Sequence, residues 1–352
     1  MQRTILALQY VFCLILTCGC SQPAKTPHPP LDRAVAERIK SASGFDDLFE
    51  VVSVVELSTP PGMVVGFVDA IAEDSRGRLY LRDRTARLVY LFDENGRFVR
   101  QIGGRGKGEG EYESTGALFF NDESKTLYHY DNALLRLTTF DEGGGFLRSF
   151  STKLDLVSQM YAASGSLYLF RPSTWLDQTI YIVDTAGTVV TSFGETGQPK
   201  DEKREAVGGA WAAYEGGFFY GLAWGNTIHD YSYAGERINS FPIDNSLRKN
   251  VTYLPNGTVD VRSSWPLTGV FVIRNQLLIT QFTMFGKPGE PAKAMLDIYD
   301  LRGRLIKGKF VTDQLLRRVS SRGDFLTIIY PPLSPEDQLK NPTIVRRNFK
   351  LL

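Results

Sequence analysis

From about residue 48 onward, apolar positions come in short alternating runs broken by polar turns, a pattern of half-buried strands. Five pairs of runs stand out: AIAEDSRGRLYLRD, LFFNDESKTLYHYD, MYAASGSLYLF, WAAYEGGFFYGLA and VFVIRNQLLITQF. Their alternation and aromatic content predict two strands joined by a polar turn in each. Downstream of each pair lies an apolar or aromatic residue, Asp, two variable residues, Gly and an apolar pair. This signature reads FDENGRFV around Gly96, FDEGGGFL around Gly144, VDTAGTVV around Gly187, YSYAGERI around Gly235 and YDLRGRLI around Gly303, with Ser232 replacing the aspartate once. An Asp or Ser side chain accepts the backbone N–H two residues on, and glycine supplies a positive φ, so each copy predicts a β-hairpin tip. Two strands plus a hairpin make a four-stranded unit.

The tip glycines are 48, 43, 48 and 68 residues apart, the long interval holding the extra segment NVTYLPNGTVDVRSSWPL. Such a period predicts a propeller. A sixth unit opens with LRRVSSRGDFLTIIY, but the chain ends at TIVRRNFKLL before another tip can form. The sixth sheet therefore lacks its outer strand, and the apolar run LFEVVSVVEL, Leu48 to Leu57, has no partner in the first unit. The expected fold is all-β: a six-bladed β-propeller of four-stranded antiparallel blades over 46–352, closed by an N-terminal strand that completes the last blade. Closure protects strand edges from aggregation. One short helix is predicted ahead of the ring, over about Leu31 to Lys40.

The run DSRGRLYLRDRTARLVYLFDENGRFVRQIGGRGKGEGEY, Asp74 to Tyr112, resembles an NHL-type repeat, which joins D-x-x-G-x-L-Y-L-x-D, R-L-x-x-F-D-x-x-G and G-x-G-x-G-E-F/Y. By that resemblance the chain is similar to six-bladed propeller lipoproteins of bacteria, most of them without an assigned activity. The match is close in the first blade, recognisable in the second and skeletal later. Blades four to six lack the R-L and G-E-F elements, so the resemblance implies architecture more than function.

The first residues change the picture from a free domain to an exported one. MQRTILALQYVFCLILTCGC has a basic start at Arg3, an apolar run from Ile5 to Leu16 and small residues before Cys20, as an export signal does. A transmembrane anchor is the other reading, but the run falls short of the roughly 20 apolar residues needed to span a bilayer. Thr17-Cys18-Gly19-Cys20 resembles a bacterial lipobox, departing from it in having Thr17 in place of leucine; Cys18 is a poorer lipidation site because Thr17 precedes it. The expected organisation is a signal peptide over 1–19, then lipidated Cys20, a Pro-rich tether and the short helix over 20–45. All three cysteines, Cys13, Cys18 and Cys20, lie in this segment, so a mature domain lipidated at Cys20 holds no disulfide and relies on packing. Ser21 after the cysteine resembles the pattern of outer-membrane sorting, which implies a periplasmic or surface-facing location. The membrane is thus an expected partner, through the lipid.

Charge removes one class of partner. Forty Lys and Arg against 39 Asp and Glu leave a net charge of +1, so no global field recruits nucleic acid. The stretch GGRGKGEGEY, Gly103 to Tyr112, looks like a phosphate cradle but fails both nucleotide fingerprints: Lys107 is followed by Gly108, and no G-x-G-x-x-G opens a βαβ unit. It is expected to connect the outermost strand of blade one to the innermost of blade two, leaving Arg105 and Lys107 as candidates for an anionic ligand. The domain's two histidines, His129 and His229, are too few for a three-histidine zinc site. Asp69, Asn121 and Asp122 lie near inner strands; were they to converge, they would hold a divalent metal and support a lactonase- or esterase-like hydrolase at the channel mouth. No other cofactor is implied. The preferred expectation is a binding or scaffold module for a protein, peptide or glycan. It rests on a face where second-to-third strand turns and blade connectors carry Arg84, Arg171, Trp175 and Trp224, the residue types recognition uses.

Overall fold

The computed structural model describes residues 28–114, 116–163, 165–173, 176–195, 208–243, 265–284, 292–319, 325–329 and 340–352. Cys20, Trp175 and the segment NVTYLPNGTVDVRSSWPL up to Ser264 lie outside them. Two short helices come first, α1 (Arg33–Ser41) and α2 (Phe45–Leu48), followed by strand β1 (Phe49–Glu56). Asp32 starts α1 by accepting the Ala34 and Val35 amides, which is why the helix begins two residues later than its periodicity suggests.

Six four-stranded antiparallel sheets follow, and together they form a six-bladed β-propeller. Blade one holds β2 (Val68–Glu73), β3 (Leu79–Asp83), β4 (Leu88–Phe92) and β5 (Phe98–Ile102). The short strands β6 (Gly104–Arg105) and β7 (Glu111–Tyr112) pair within the connector to blade two. Blade two comprises β8 (Leu118–Asn121), β9 (Thr126–Asp131), β10 (Arg136–Asp141) and β11 (Phe146–Ser151). Blade three comprises β12 (Gln159–Ala163), β13 (Ser166–Phe170), β14 (Gln178–Val183) and β15 (Val189–Glu195). Blade four comprises β16 (Gly209–Tyr214), β17 (Gly217–Leu222), β18 (Thr227–Ser232) and β19 (Arg237–Pro242). Blade five comprises β20 (Leu267–Ile273), β21 (Leu277–Met284), β22 (Lys293–Asp300) and β23 (Leu305–Thr312). Blade six comprises β24 (Leu316–Val319), β25 (Phe325–Ile329) and β26 (Thr343–Phe349), with β1 as its outermost strand, in the order β24, β25, β26, β1.

The closure expected from LFEVVSVVEL is therefore present. β1 pairs with β26 from Phe49↔Phe349 to Glu56↔Thr343, with one bulge between Val51 and Ser53. The seam it closes, between blades six and one, buries Val55, Leu57, Leu79, Leu81, Phe92 and Ile344. An ion pair crosses the same seam: Arg346 Nη2 lies 2.8 Å from Glu73 Oε1 and also donates to the Gly77 carbonyl. Both side chains are buried, so removing one would strand the other's charge.

Each of the six seams holds its own apolar cluster, because alternate residues along a strand face opposite neighbours. The hairpin tips lock blades together in a second way. In every tip the glycine amide donates to the carbonyl three residues back, and in four of them the aspartate Oδ1 takes the amides two and four residues on. Gly144 has φ +85°, and a Cβ there would come 2.8 Å from Cγ1 of Ile102 on the outer strand of the preceding blade. The same close approach recurs at the other tips, to Val55, Phe150, Phe193 and Phe241.

Two tests follow. Gly144→Ala is expected to destabilise by about 2–4 kcal/mol, adding strain from positive φ to overpacking against Ile102. Gly62→Ala, at φ +80° with open space around it, should cost only about 1 kcal/mol in chemical denaturation. Deleting residues 46–58 is expected to abolish the cooperative melting transition; an unchanged transition would refute closure by β1.

Candidate functional site

The ring has two ends. At one, here the connector end, lie the turns between second and third strands and the segments joining blades; at the other lie the hairpin tips and first-to-second strand turns. A pocket of about 860 Å³ opens on the connector end between blades one and two, lined by Arg84, Arg87, Arg105, Gly106, Glu113, Ser114 and Ala133. Arg84 and Arg87 come from the β3–β4 turn, Ala133 from the β9–β10 turn, and the rest from the glycine-rich connector.

Two aspartates at equivalent places, the last residues of LYLRD and LYHYD, shape this surface. Asp83 accepts the amides of Gly66 and Ala86. Asp131 accepts the Glu113, Ala133 and Leu134 amides and the Ser114 hydroxyl, thereby fixing three of the lining residues. Burial pushes the Asp131 carboxyl up, but the hydrogen bonds from Ser114, Glu113 and Leu134 outweigh it and hold the pKa below its usual value. Arg87 adopts φ 55°, and Leu135 repeats this at φ 50° one blade on, so the left-handed residue belongs to the turn type.

The connector GGRGKGEGEY joins β5 to β8 as its composition suggests. Arg136 pins it, donating to the carbonyls of Lys107, Gly108 and Glu111. Glu111 turns inward to accept the Gly108 amide, and Gly106 leaves room for that carboxylate. Arg105 Nε and Nη2 both donate to the Ala86 carbonyl, at 3.1 and 2.6 Å, which draws its guanidinium across to the β3–β4 turn and Arg84. Lys107 instead reaches Glu113 at 3.6 Å with its ammonium exposed. Among the described residues neither Arg84 nor Arg87 pairs with a carboxylate.

Below this mouth the seam turns unusually polar. Tyr80 and Arg82 face blade two, and Leu127, His129 and Asp131 face back toward blade one. Arg82 Nε binds Asp69 Oδ1 at 2.7 Å, while its Nη1 is buried without a partner. His129 is fully buried against the Tyr112 ring, at 4.4 Å between centroids, and neither ring nitrogen has a partner. The same holds for Thr138 Oγ1, opposite His129 across the strands, and for Arg136 Nε. Burial, and then the positive charges of Arg82 and Arg136 against the opposing pull of Asp131, push the His129 pKa down to about 3. The imidazole is neutral at physiological pH.

The other expected residues are placed elsewhere. Arg171 is buried, donating from Nε to the Asp155 carbonyl at 2.6 Å, pairing with the Asp155 carboxylate and lying 4.6 Å over the Tyr181 ring. It ties a blade connector down and presents no free cation. Trp224 is half-buried in the β17–β18 turn, on the same end of the ring but in blade four. The proposed carboxylate set does not assemble: Asp69 sits at the connector end bound to Arg82, whereas Asn121 and Asp122 sit in the β8–β9 turn at the opposite end. There Asn121 accepts the Glu123 and Ser124 amides, and Asp122 accepts the Ser75 amide and the Lys125 ammonium. No group of three or more His, Cys, Asp or Glu side chains able to hold a metal occurs among the described residues.

His28, which falls within the Pro-rich tether expected in 20–45, is seated on the ring. Its Nε2 lies 2.8 Å from Asp230 Oδ2, its carbonyl accepts from Arg302 Nε at 2.8 Å, and Tyr214 and Phe219 flank its ring. Arg302 belongs to a hairpin tip and Tyr214 ends β16, so this seat is on the hairpin end, away from the arginine pocket.

Arg87, Glu113 and Ser114 are not among the expected site residues, and His129 enters the sequence reading only as a rejected zinc ligand. Only the last left a signal: LYHYD puts histidine where LYLRD and SLYLF put leucine. Fold and site together define a six-bladed β-propeller with a polar, arginine-lined pocket on its connector end. The chain belongs to the family described as a domain of unknown function, DUF4934, whose model matches residues 34–232. Its fold is shared with a Bacteroides fragilis protein assigned as exported, at 16% identity and a TM-score of 0.63 over 88% of this chain and 98% of that one. It is also shared with a Bacteroides vulgatus member of the DUF4221 family, at 9% identity and a TM-score of 0.61 over 86% and 99%. A search of curated proteins finds no match.

The buried imidazole gives a pH prediction. With the folded pKa near 3 and the ordinary value 6.5, the unfolded chain binds the extra proton between these limits. Stability should therefore fall as pH drops from 6.5 toward 3, by about 3–5 kcal/mol from this group. His129→Leu is expected to flatten that part of the stability profile measured by denaturant titration.

Proposed function

We propose that this protein is an exported, lipid-anchored binding module of the cell envelope, which uses the connector end of its propeller to hold a protein, peptide or glycan. The observation that carries the reading is the pocket between blades one and two, where Arg84 and Arg87 have no carboxylate partner among the described residues and Arg105 is drawn toward them. Unpaired guanidinium groups on a rigid surface are ready to donate charge-assisted hydrogen bonds to a ligand without reorganisation. Turns and connectors held by Asp83, Asp131 and Arg136 supply that rigidity.

Export and anchoring rest on the signal-like first 19 residues, the lipobox-like Cys20 and the NHL-type, lipoprotein-like repeat; Ser21 points to the outer membrane. The propeller shared with an exported Bacteroides protein is compatible with this. The seat of His28 adds an orientation. Eight residues separate it from Cys20, a reach of at most about 26–29 Å, so the lipid holds the hairpin end toward the membrane and leaves the arginine pocket facing away.

Cys20→Ser is expected to move the protein from the membrane fraction to the soluble one and to abolish palmitate labelling; unchanged labelling would refute Cys20 as the anchor. Immobilised protein should retain a component of detergent-solubilised envelopes, and Arg84→Glu with Arg105→Glu should release it. Equal retention by the double variant would move the binding surface elsewhere.

A further inference from the structure

We infer that the pocket between blades one and two is a site for an acidic sugar, meaning a glycan unit that carries a carboxylate or sulfate oxyanion beside neutral hydroxyls. The inference rests on the binding-module reading and gives its ligand a chemistry. Three arginines line the mouth, and Arg84 and Arg87 bring guanidinium groups that no protein carboxylate neutralises among the described residues. Beneath them the seam offers a second layer of unsatisfied polar atoms: Arg82 Nη1, Arg136 Nε, Thr138 Oγ1 and both nitrogens of a neutral His129. Arg82 and His129 are more than nine-tenths buried. Buried polar atoms ordinarily find partners; these five lie under the cavity and outside its lining, so they make its floor polar without themselves meeting a ligand. The guanidinium N–H groups of Arg84, Arg87 and Arg105 supply donors at the mouth, which suits an anion's acceptor oxygens.

The rest of the lining selects among anions. Glu113 places a carboxylate and Ser114 a hydroxyl in the same pocket as the arginines. A densely charged polyanion, such as a nucleic acid or a polyphosphate, would meet repulsion from Glu113. A sugar instead offers hydroxyl donors to that carboxylate while its single oxyanion meets the arginines. Ala133 is the largest apolar side chain in the lining, so there is no pocket to take a peptide's apolar side chains. An open cavity of about 860 Å³ has room for more than one sugar ring.

The full chain, purified in detergent, would be titrated calorimetrically with oligogalacturonate, κ-carrageenan oligosaccharides that carry sulfate but no carboxylate, neutral maltooligosaccharide and polyglutamate. Binding of the uronate or the sulfated sugar, weakening with salt, is expected, and which of the two binds identifies the oxyanion. Arg84→Ala with Arg87→Ala removes two exposed side chains that make no hydrogen bond or ion pair among the described residues, so the melting transition should stay in place while affinity falls about tenfold or more. Glu113→Gln should weaken the acidic sugars and strengthen polyglutamate. Equal binding of the neutral sugar, tighter binding of polyglutamate by the unaltered protein, or full affinity in the double-arginine variant would overturn the inference. So would failure of both acidic sugars to bind. If envelope material is still retained in an arginine-dependent way in that case, the ligand class fails and the binding-module reading stands.

Discussion

The antiparallel pairing of β1 with β26 is the interaction on which everything else depends. A propeller blade is buried on both faces only when it has neighbours on both sides, so a ring with an open seam would expose two apolar sheet faces at once. Blade six takes its three inner strands from the end of the chain and its outer strand from the beginning. The seam beside it then receives Val55 and Leu57 from the N-terminal segment, and the buried Glu73–Arg346 pair fixes its register. Chain ends that lie far apart in sequence thus share one sheet, and loop-closure cost is met by six seams formed together.

Within the closed ring, two devices divide the labour. Hairpin tips act as spacers: glycine lets the tip lie flat against the outer strand of the preceding blade, so blade spacing is set by a contact with no side chain on one partner. Aspartates at the ends of second strands do the corresponding work at the opposite end, holding turns and connectors by their amides. Neither device needs a ligand, and only the second lies at the connector end, where the arginine pocket opens.

The seam between blades one and two departs from this logic. Its lower half is as apolar as the others, with Tyr80, Leu91, Leu127 and Phe140 packed together. Its upper half carries Arg82, His129, Thr138 and Arg136, and several of their polar atoms are left without partners. A leucine at position 129 would pack there at no desolvation cost, as Leu81 and Leu169 do in the neighbouring blades. The polar choice carries a desolvation cost at the depth where the arginine pocket opens.

Much of the architecture was legible in the residues because it is local and repeated. The Asp-x-x-Gly tips, the paired strands of LYLRD and its relatives, the glycine-rich connector and the unpartnered LFEVVSVVEL each carry their own turn chemistry or alternation, and repetition turned those signals into a ring. What only the tertiary structure decided is which side chains meet across a seam or fold back on a neighbour. Arg171 and Trp224 have the composition of recognition residues, yet one is spent on Asp155 and Tyr181 and the other sits in a separate blade. Asp69 and Asn121 both lie on first strands, but at opposite ends of the ring, because one starts its strand and the other finishes it. His28 reads as tether and is held by Asp230, two hundred residues away. Alternation and turn residues depend on neighbours along the chain, so the sequence determined the blades; partners across seams depend on closure of the whole ring, so only the fold could bring Arg84, Arg87 and Arg105 to one pocket.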